Sequence, residues 1–243
     1  MKWSESISIN KMHNINLIVA RSDAERDQIF DFRYKAYRKG NVIEKKFPNS
    51  LQDEFDDLDN CYIFGLFFQA QLVSTVRIHV LSKVHPVSPS FSVFPEHITP
   101  WVDQGHILID PTRLATDDTA VSKYKALPFL TFKAACMGIQ HFSADFCLAT
   151  MREEHTFFYK NVFQFEEMGV SKKFPNLIHP SQLMVADINR SWKSVLERYP
   201  IFKSTQVERE RVFNTEVTQK GNKKYGNFRM CCDSERRSSV MDG

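Results

Sequence analysis

The sequence predicts a mixed α/β fold in which helices cover a mostly antiparallel sheet. Three observations support this prediction. The chain has 243 residues, which suits one large domain. Its hydrophobic fraction of 42% and charged fraction of 25% are ordinary for a globular protein. Its strand-like and helix-like segments follow one another in the order β-α-β-β-β-α-β-α-β-β, which is typical of an α/β plan.

The first predicted elements are a buried strand and an amphipathic helix. Residues 15–20 form a short apolar run of strand length. Ser22 or Asp23 then caps a helix that extends to Lys39, because apolar side chains recur there at helical spacing. Gly40 is suited to end that helix.

The next elements are predicted to form a hairpin between two irregular segments. Residues 41–60 are polar and contain an acidic run, so we expect no regular structure there. Residues 62–68 and 72–81 are strand-like, and the connection between them lacks the glycine that tight hairpin turns favour. Residues 84–101 are rich in proline and serine and are predicted to be a long loop.

The rest of the chain alternates between strands and helices. Strands are predicted over residues 106–115, 145–149, 165–168 and 182–188. Helices are predicted over residues 128–142, 150–162 and 190–199, and a final one is expected at most over residues 206–216. Pro111 inside the first of these strands predicts a bulge beside it, and Thr150 to Glu153 fits a capping box.

Short motifs in this order resemble those of the GNAT acyltransferase superfamily, in particular its acyl-homoserine-lactone synthase and N-acyl amino acid synthase branch. The resemblance covers residues 15–190. The matching segments are Phe32 to Tyr37 (FRYKAY), Asp53 to Asp56 (DEFD), Ser74 to Arg77 (STVR), Phe94 to Glu96 (FPE), Asp110 to Ala115 (DPTRLA) and His155 to Gly169 (HTFFYKNVFQFEEMG). The resemblance implies a GNAT-like domain over residues 1–200 and leaves 201–243 as a basic, helical or flexible tail.

Two departures from the family pattern bear on the chemistry. Asp110 stands where the family usually has glutamate, so its carboxylate reaches one methylene less far. Leu51 replaces an acid that lactone synthases carry two residues before Asp53. The second departure weighs against lactone synthesis.

The resemblance assigns candidate catalytic roles to three residues. Asp110 is expected to be the base that deprotonates the amine, directly or through a water, with Arg113 beside it. The alternative for this pair is a structural salt bridge. Tyr159 occupies the position from which GNAT enzymes protonate the leaving thiolate, and the alternative is a packed aromatic side chain.

A second set of residues is expected to bind the acceptor. Arg33 lies on the apolar stripe of its helix, so it needs an acidic partner. We expect Asp53 or Asp56 to be that partner and Arg77 to be a second cation, with His155 as a further substrate contact. The alternative is a structural network that fixes the 41–60 segment.

The acyl donor is expected to be an acyl carrier protein. Coenzyme A-dependent GNAT enzymes bind pyrophosphate on a glycine-rich loop at a helix N-terminus. Residues 114–127 contain no glycine and carry two aspartates, which would repel phosphate. Surface lysines are candidates for docking the acidic carrier, or else form a solvated face: Lys123, Lys125, Lys133, Lys172 and Lys173.

Composition excludes several other classes of function. The net charge of +3 is too small to indicate nucleic-acid binding. None of the five cysteines has metal-ligand spacing, so no metal is expected. No segment reaches the length of a transmembrane helix, residues 1–14 lack the apolar run of a signal peptide, and we expect a cytoplasmic protein.

These inferences predict an N-acyltransferase that moves a long acyl group from an acyl carrier protein thioester to an amino acid or similar small amine, with no bound cofactor. Three alternatives remain at this stage: an acyl-homoserine-lactone synthase, an acyl-CoA-dependent GNAT enzyme, and a non-catalytic module that binds an acyl chain or its carrier.

Overall fold

One twisted sheet forms the centre of the molecule. The computed structural model describes residues 15–44 and 50–214, together with the backbone of residues 228 and 229. The strands are β1 (Ile15–Val19), β2 (Cys61–Phe68), β3 (Gln71–Leu81), β4 (Leu108–Thr116), β5 (Phe146–Met151), β6 (Glu166–Lys173), β7 (Pro180–Asp187) and β8 (Phe228–Arg229). They lie in the order β6-β7-β5-β4-β3-β2-β1-β8.

The sheet is antiparallel except at its middle, where β4 and β5 run parallel. Their pairing covers only Leu108 with Phe146 and Ile109 with Cys147. Beyond these residues β4 stays paired with β3, and β5 stays paired with β7. The two strands therefore separate after Ile109, which opens a gap in the middle of the sheet. The predicted α/β class and mostly antiparallel sheet are confirmed.

Helices cover both faces of this sheet. They are α1 (Asp23–Lys39), α2 (Pro89–Val93), α3 (Pro95–Asp103), α4 (Asp118–Lys123), α5 (Leu127–Phe142), α6 (Thr156–Phe163), α7 (Ile188–Arg198) and α8 (Gln206–Phe213). Consecutive strand residues point to opposite faces. Ile109 accordingly belongs to the main core with α5, and Leu108 to a second core with α2 and α3.

The strong sequence signals around α1 produce the expected element. Ser22 accepts a hydrogen bond from the Glu25 amide, and the Glu25 carboxylate accepts one from the Ser22 amide, so a capping box starts the helix. Gly40 follows the last helical residue, although its φ of −76° is not left-handed. The predicted bounds of the helix, including Lys39, are confirmed.

The predicted loop over residues 84–101 is wrong, because most of that segment is helical. Ser88 caps α2 by accepting a hydrogen bond from the Phe91 amide, and Pro89 takes the first helical position. Pro95 also takes the first helical position of α3, although the residue before it, Phe94, makes no side-chain capping hydrogen bond. Pro89 and Pro95 therefore mark helix starts rather than loop, because the amides of a first helical turn have no helical partner that a proline would remove, whereas Pro100 lies inside α3.

Two other local predictions need correction. Thr150 is in β5 rather than at a helix cap, and a short 3₁₀ turn over Glu153–His155 leads into α6. The bulge in β4 is not beside Pro111, which pairs in register with Ile78. It lies at Arg113, where φ is 54°, and two residues of β4 there face one residue of β3.

The hairpin between β2 and β3 forms without glycine. Its two turn residues, Gln69 and Ala70, have φ values of 50° and 65°. Both are therefore left-handed, as in the type I′ turns that suit the twist of hairpin strands. The hydrogen bonds of the long β2–β3 ladder offset the backbone strain of these two residues.

The packed part of the chain continues beyond residue 200. Helix α8 was expected only as part of a tail, yet Val212 and Phe213 are buried in the main core. Arg21 also donates a hydrogen bond from Nη2 to the Val212 carbonyl at 3.0 Å. The rest of the predicted tail, apart from residues 228 and 229, lies outside the described residues, as do Cys231 and Cys232.

Candidate active site

A cavity of about 90 Å³ lies beside the gap between β4 and β5. Its wall includes residues from α1, the 3₁₀ turn over Glu54–Asp57, β3, α2, β4 and β5. The lining residues with polar or charged side chains are Tyr37, Asp53, Glu54, Arg77, Ser92, Thr112, Arg113, Thr150, Asn176 and Ser181. The bulge at Arg113 interrupts the alternation of β4, so that Thr112 and Arg113, which are adjacent in sequence, both line this cavity.

A chain of ion pairs forms one side of the cavity. Nη1 of Arg33 is 2.8 Å from Oδ1 of Asp56, and Nη1 of Arg77 is 3.0 Å from the same oxygen. Arg77 also pairs with Asp53, whose other carboxylate oxygen lies 2.6 Å from Nη2 of Arg113. The structure therefore brings together five residues that the sequence analysis selected.

The two aspartates are held by the turn that contains them. The Asp53 carboxylate accepts a hydrogen bond from the Phe55 amide at 3.1 Å, and the Asp56 carboxylate accepts one from the Asp53 amide at 3.0 Å. This capping box fixes both carboxylates toward the arginines. The expected partner of Arg33 is thus found, and it is Asp56 rather than Asp53.

The cluster carries one more positive than negative charge, because three guanidinium groups face two carboxylates. Burial alone would raise the pKa of Asp53, but the charges and hydrogen bonds of Arg77 and Arg113 hold it well below its usual range. Burial would also raise the pKa of Asp56. The charges of Arg33 and Arg77 outweigh that effect, so the pKa of Asp56 is lowered. Both carboxylates are therefore ionised at neutral pH.

Arg33 is only partly hydrogen-bonded within the cluster. Its side chain is fully buried, and its Nε and Nη2 atoms have no hydrogen-bond partner. Burial, together with the nearby charge of Arg77, lowers the pKa of Arg33. Because only Asp56 pairs with it, this guanidinium depends on one carboxylate for its charge compensation.

Asp110 lies behind the cavity wall rather than on it. Its side chain is fully buried and is not among the residues that line the cavity. The amide of Ser90 donates to Oδ2 of Asp110 at 3.0 Å, and the hydroxyl of Ser90 donates to Oδ1 at 2.6 Å. Arg113 pairs with Asp53, so the alternative salt bridge between Asp110 and Arg113 is not formed.

Ser90 also connects Asp110 to the cavity. Its hydroxyl oxygen lies 3.4 Å from Oγ1 of Thr150, a residue of β5 that lines the cavity. The first turn of α2 thus bridges β4 and β5 where their direct pairing has ended. Neither Ser90 nor Thr150 was predicted as a site residue. The Ser88-Pro89 pair was a usable signal for the helix start, but no sequence signal places Ser90 opposite Asp110.

His79 is the cross-strand neighbour of Asp110 in the β3–β4 ladder. Its Nε2 lies 2.8 Å from the carbonyl oxygen of Phe55, so this nitrogen carries the hydrogen, and its buried Nδ1 has no hydrogen-bond partner. Burial and the charge of Arg77 lower the pKa of His79. This histidine is therefore neutral at neutral pH and helps to fix the 3₁₀ turn.

The structure does not place Tyr159 or His155 on the cavity. The Tyr159 ring packs among Phe132, Phe163 and Phe165, and burial raises the pKa of its hydroxyl. A tyrosine with a raised pKa is a weaker proton donor. His155 is exposed near the start of α6, where Nε2 is 3.3 Å from Nη2 of Arg152. The position of Tyr159 favours its alternative role as a packed aromatic side chain.

The candidate docking lysines differ in accessibility. Lys123 and Lys125 are exposed. Lys133 is only 7% exposed within α5, so its expected role in docking a carrier is wrong. Lys172 pairs with Glu96 at 2.5 Å, and Lys173 is exposed on β6.

Two aspartates at the start of the segment between β4 and α5 disfavour the binding of an anion there. Asp117 caps α4 by accepting a hydrogen bond from the Ala120 amide at 2.8 Å. Asp118 pairs with Lys39 of α1 at 2.9 Å. The free amides at this helix start therefore already face a carboxylate of the protein itself.

The described residues contain neither a metal-binding cluster nor a membrane-spanning helix. In residues 15–44 and 50–214, no group of three or more His, Cys, Asp or Glu side chains is arranged to hold a metal ion. None of the helices in this part of the chain is long and apolar enough to cross a membrane. The cysteines described there, Cys61, Cys136 and Cys147, are free thiols.

Comparisons with known proteins agree with this architecture. The family model "N-acyl amino acid synthase FeeM" matches residues 28–187. The solved structure of FeeM, an N-acyl amino acid synthase from uncultured soil microbes, is 19% identical with a TM-score of 0.61, covering 74% of this chain and 94% of its own. BjaI, a CoA-dependent acyl-homoserine lactone synthase solved with SAM and isopentyl-CoA, is 13% identical with a TM-score of 0.52, covering 72% and 81%.

Another similar structure is TofI in a ternary complex with an inhibitor and MTA. It is 12% identical with a TM-score of 0.52, and the match covers 78% of this chain and all of TofI. No curated protein sequence matched the chain significantly. At these identities the solved structures establish the fold, and the family match over residues 28–187 establishes the family.

Proposed function

We propose that this chain, an N-acyltransferase that belongs to the N-acyl amino acid synthase FeeM family, moves a long acyl group from an acyl carrier protein thioester to the amino group of an amino acid. The observation that carries this proposal is the composition of the cavity wall. One part is rich in arginine and the other leads through hydroxyl groups to a buried carboxylate.

The arginine-rich part suits the carboxylate of an amino acid. Arg77 and Arg113 line the cavity, and the cluster to which they belong has one uncompensated positive charge. A guanidinium group binds a carboxylate through two parallel hydrogen bonds, which also orients the ligand. Asp53 holds both guanidinium groups in place, so the site is formed before the acceptor arrives.

The part that leads to Asp110 suits the ammonium group, which must lose a proton before it can attack. We assign the role of base to Asp110. The free amine then attacks the thioester carbonyl carbon, a carbon–nitrogen bond forms, and the carbon–sulfur bond breaks. The thioester is a co-substrate, so the reaction needs no resident cofactor.

The choice of a carrier protein as donor rests on the segment between β4 and α5. Asp117 occupies the start of α4, and residues 114–127 contain no glycine that would let a backbone approach pyrophosphate closely. A carrier protein needs only a path for its pantetheine arm and a basic surface. Lys123 and Lys125, which are exposed in this segment, would supply that surface.

Leu51 is the feature that favours amide synthesis over lactone synthesis. The lactone-synthase pattern has an acid at this position, and here the side chain is 1% exposed and apolar. Purified protein should therefore form N-acyl amino acids without releasing a lactone when SAM is supplied.

The test combines donors and acceptors in one experiment. Purified protein is incubated with palmitoyl carrier protein or palmitoyl-CoA and a mixture of the twenty common amino acids, and products are identified by mass spectrometry. The proposal expects N-palmitoyl amino acids mainly from the carrier donor. Equal or better turnover of palmitoyl-CoA would refute the carrier assignment, and tight carrier binding without turnover would favour a non-catalytic module.

A further inference from the structure

We infer that Ser90 and Thr150 form a proton relay from the cavity to Asp110, an inference that rests on the proposed function. Asp110 is fully buried and does not line the cavity, so it cannot take a proton from a bound amine directly. The hydroxyl of Ser90 is 2.6 Å from Oδ1 of Asp110 and 3.4 Å from Oγ1 of Thr150. Thr150 does line the cavity.

The direction of each hydrogen bond follows from the number of available protons. An ionised carboxylate only accepts, so the Ser90 hydroxyl must donate to Asp110. Ser90 has one hydroxyl proton, and the hydrogen bond to Asp110 uses it. In the contact between the two hydroxyl groups, Thr150 must therefore donate to Ser90. The free lone pair of Thr150 is left to face the cavity as an acceptor.

This polarity suits a base that collects a proton from an ammonium group. The ammonium nitrogen gives one proton to Thr150, Thr150 passes its own proton to Ser90, and Ser90 passes its own to Asp110. The carboxylate becomes a neutral carboxylic acid, and the nitrogen becomes a free amine that can attack the thioester. All three hydrogen bonds then point in the opposite direction, with Thr150 donating toward the cavity.

The reversed relay can complete the reaction. When the amine has bonded to the carbonyl carbon, the carbon–sulfur bond breaks and its electron pair stays on sulfur. The stored proton returns from Asp110 through Ser90 and Thr150 to the thiolate, and the second proton lost by nitrogen goes to solvent. One ammonium and one thioester thus give one amide, one thiol and one proton.

The burial and contacts of Ser90 indicate that this residue is positioned to bind Asp110. Ser90 is fully buried in the first turn of α2, and both its amide and its hydroxyl bind Asp110. Ser191 in α7 is likewise buried, but its hydroxyl donates to the Asp187 carbonyl at 2.7 Å and it does not line the cavity. Ser191 is therefore a matched control for a buried helical serine away from the site.

The test compares two nucleophiles with the same thioester. Amino acids are protonated at neutral pH and need a base, whereas hydroxylamine is already largely unprotonated and does not. Turnover of palmitoyl thioester by wild type, Ser90→Ala, Thr150→Val and Ser191→Ala is measured with the amino-acid mixture and with hydroxylamine, whose hydroxamate product gives a colour with ferric ion. Thermal unfolding checks that each variant is folded.

The relay predicts a selective loss. Ser90→Ala and Thr150→Val should lose about 100-fold or more with amino acids and less than about 3-fold with hydroxylamine, in line with the contribution of acid–base catalysis. Thr150→Ser, which keeps the hydroxyl, should recover most of the loss. Ser191→Ala should keep the wild-type ratio between the two nucleophiles.

Other results overturn the inference. Equal losses with both nucleophiles would show that Ser90 and Thr150 act on structure or thioester binding, and no loss with either would show that Asp110 is reached by another path. If Ser90→Ala fails to fold, the Thr150→Val and Thr150→Ser pair decides alone. A wild-type protein that acylates neither nucleophile would overturn the proposed function, and the relay with it.

Discussion

The buried ion pair between Arg33 and Asp56 gives the sharpest prediction about stability. Asp56→Asn preserves the size of the side chain but removes the charge that compensates Arg33, and both side chains are 0% exposed. Removing one partner of such a pair typically costs about 3–5 kcal/mol, because the other charge stays buried. The new amide group would also point a donor at the arginines, which can only donate.

Asp57→Asn is the matched control, because Asp57 is the next residue of the same 3₁₀ turn. Its side chain is 64% exposed and pairs with Arg26, so the same substitution should cost no more than about 1 kcal/mol. Urea unfolding followed by circular dichroism measures both. With a urea dependence of about 2–3 kcal/mol per molar, Asp56→Asn should lower the midpoint by about 1–2.5 M.

A small difference would refute this reasoning. If Asp56→Asn and Asp57→Asn lower the free energy of unfolding by amounts within about 1 kcal/mol of each other, the cluster is not a tightly compensated charge network. A second check adds Arg33→Met to Asp56→Asn. The double variant should be more stable than Asp56→Asn alone, since the uncompensated guanidinium is gone.

Four further outcomes are expected. The pKa of Asp53 is lower in the folded state than in the unfolded state. Its contribution to stability is therefore present above about pH 4 and is lost as the pH falls toward the folded-state pKa. Urea midpoints measured as the pH is lowered from about 4 should fall less steeply for Asp53→Asn than for wild type. Tyr159→Phe should keep turnover within about 3-fold of wild type in the palmitoyl-transfer assay, because the ring packs away from the cavity and general acid catalysis is usually worth far more. Lys123→Glu combined with Lys125→Glu should raise the KM for palmitoyl carrier protein and leave that for palmitoyl-pantetheine unchanged, since the small thioester has no acidic docking surface. Ala70→Gly should stabilise the protein by about 0.5–1 kcal/mol in urea unfolding, because glycine adopts a φ of 65° without strain.

The parts of the fold that the sequence predicted are those with local signals. The capping box at Ser22 and the apolar stripe that follows it define α1. Because Arg33 lies on that stripe, the sequence indicated a buried cation that needs an acidic partner. The acidic run at residues 53–57 supplied that partner. Charge balance alone therefore linked two segments that are separated in sequence.

The missed parts depend on tertiary context. The prolines at 89 and 95 were interpreted as loop signals, although each starts a helix, and only the packing of α2 against β4 and β5 shows this. The bulge fell at Arg113 because that residue turns toward Asp53, an interaction 60 residues away in sequence. Lys133 was selected for its charge, although the apolar composition of the rest of α5 is typical of a helix that is buried almost all round.

The central claim is that this N-acyltransferase makes N-acyl amino acids with Asp110 as its base. The most direct measurement is mass spectrometry of lipid extracts from cells that overproduce the wild-type chain, compared with cells that produce Asp110→Asn at the same level. The account predicts new N-acyl amino acids in the first extract and their absence from the second. Equal amounts in both extracts would contradict the role of Asp110, and no new acyl amine in either would contradict the synthase assignment itself.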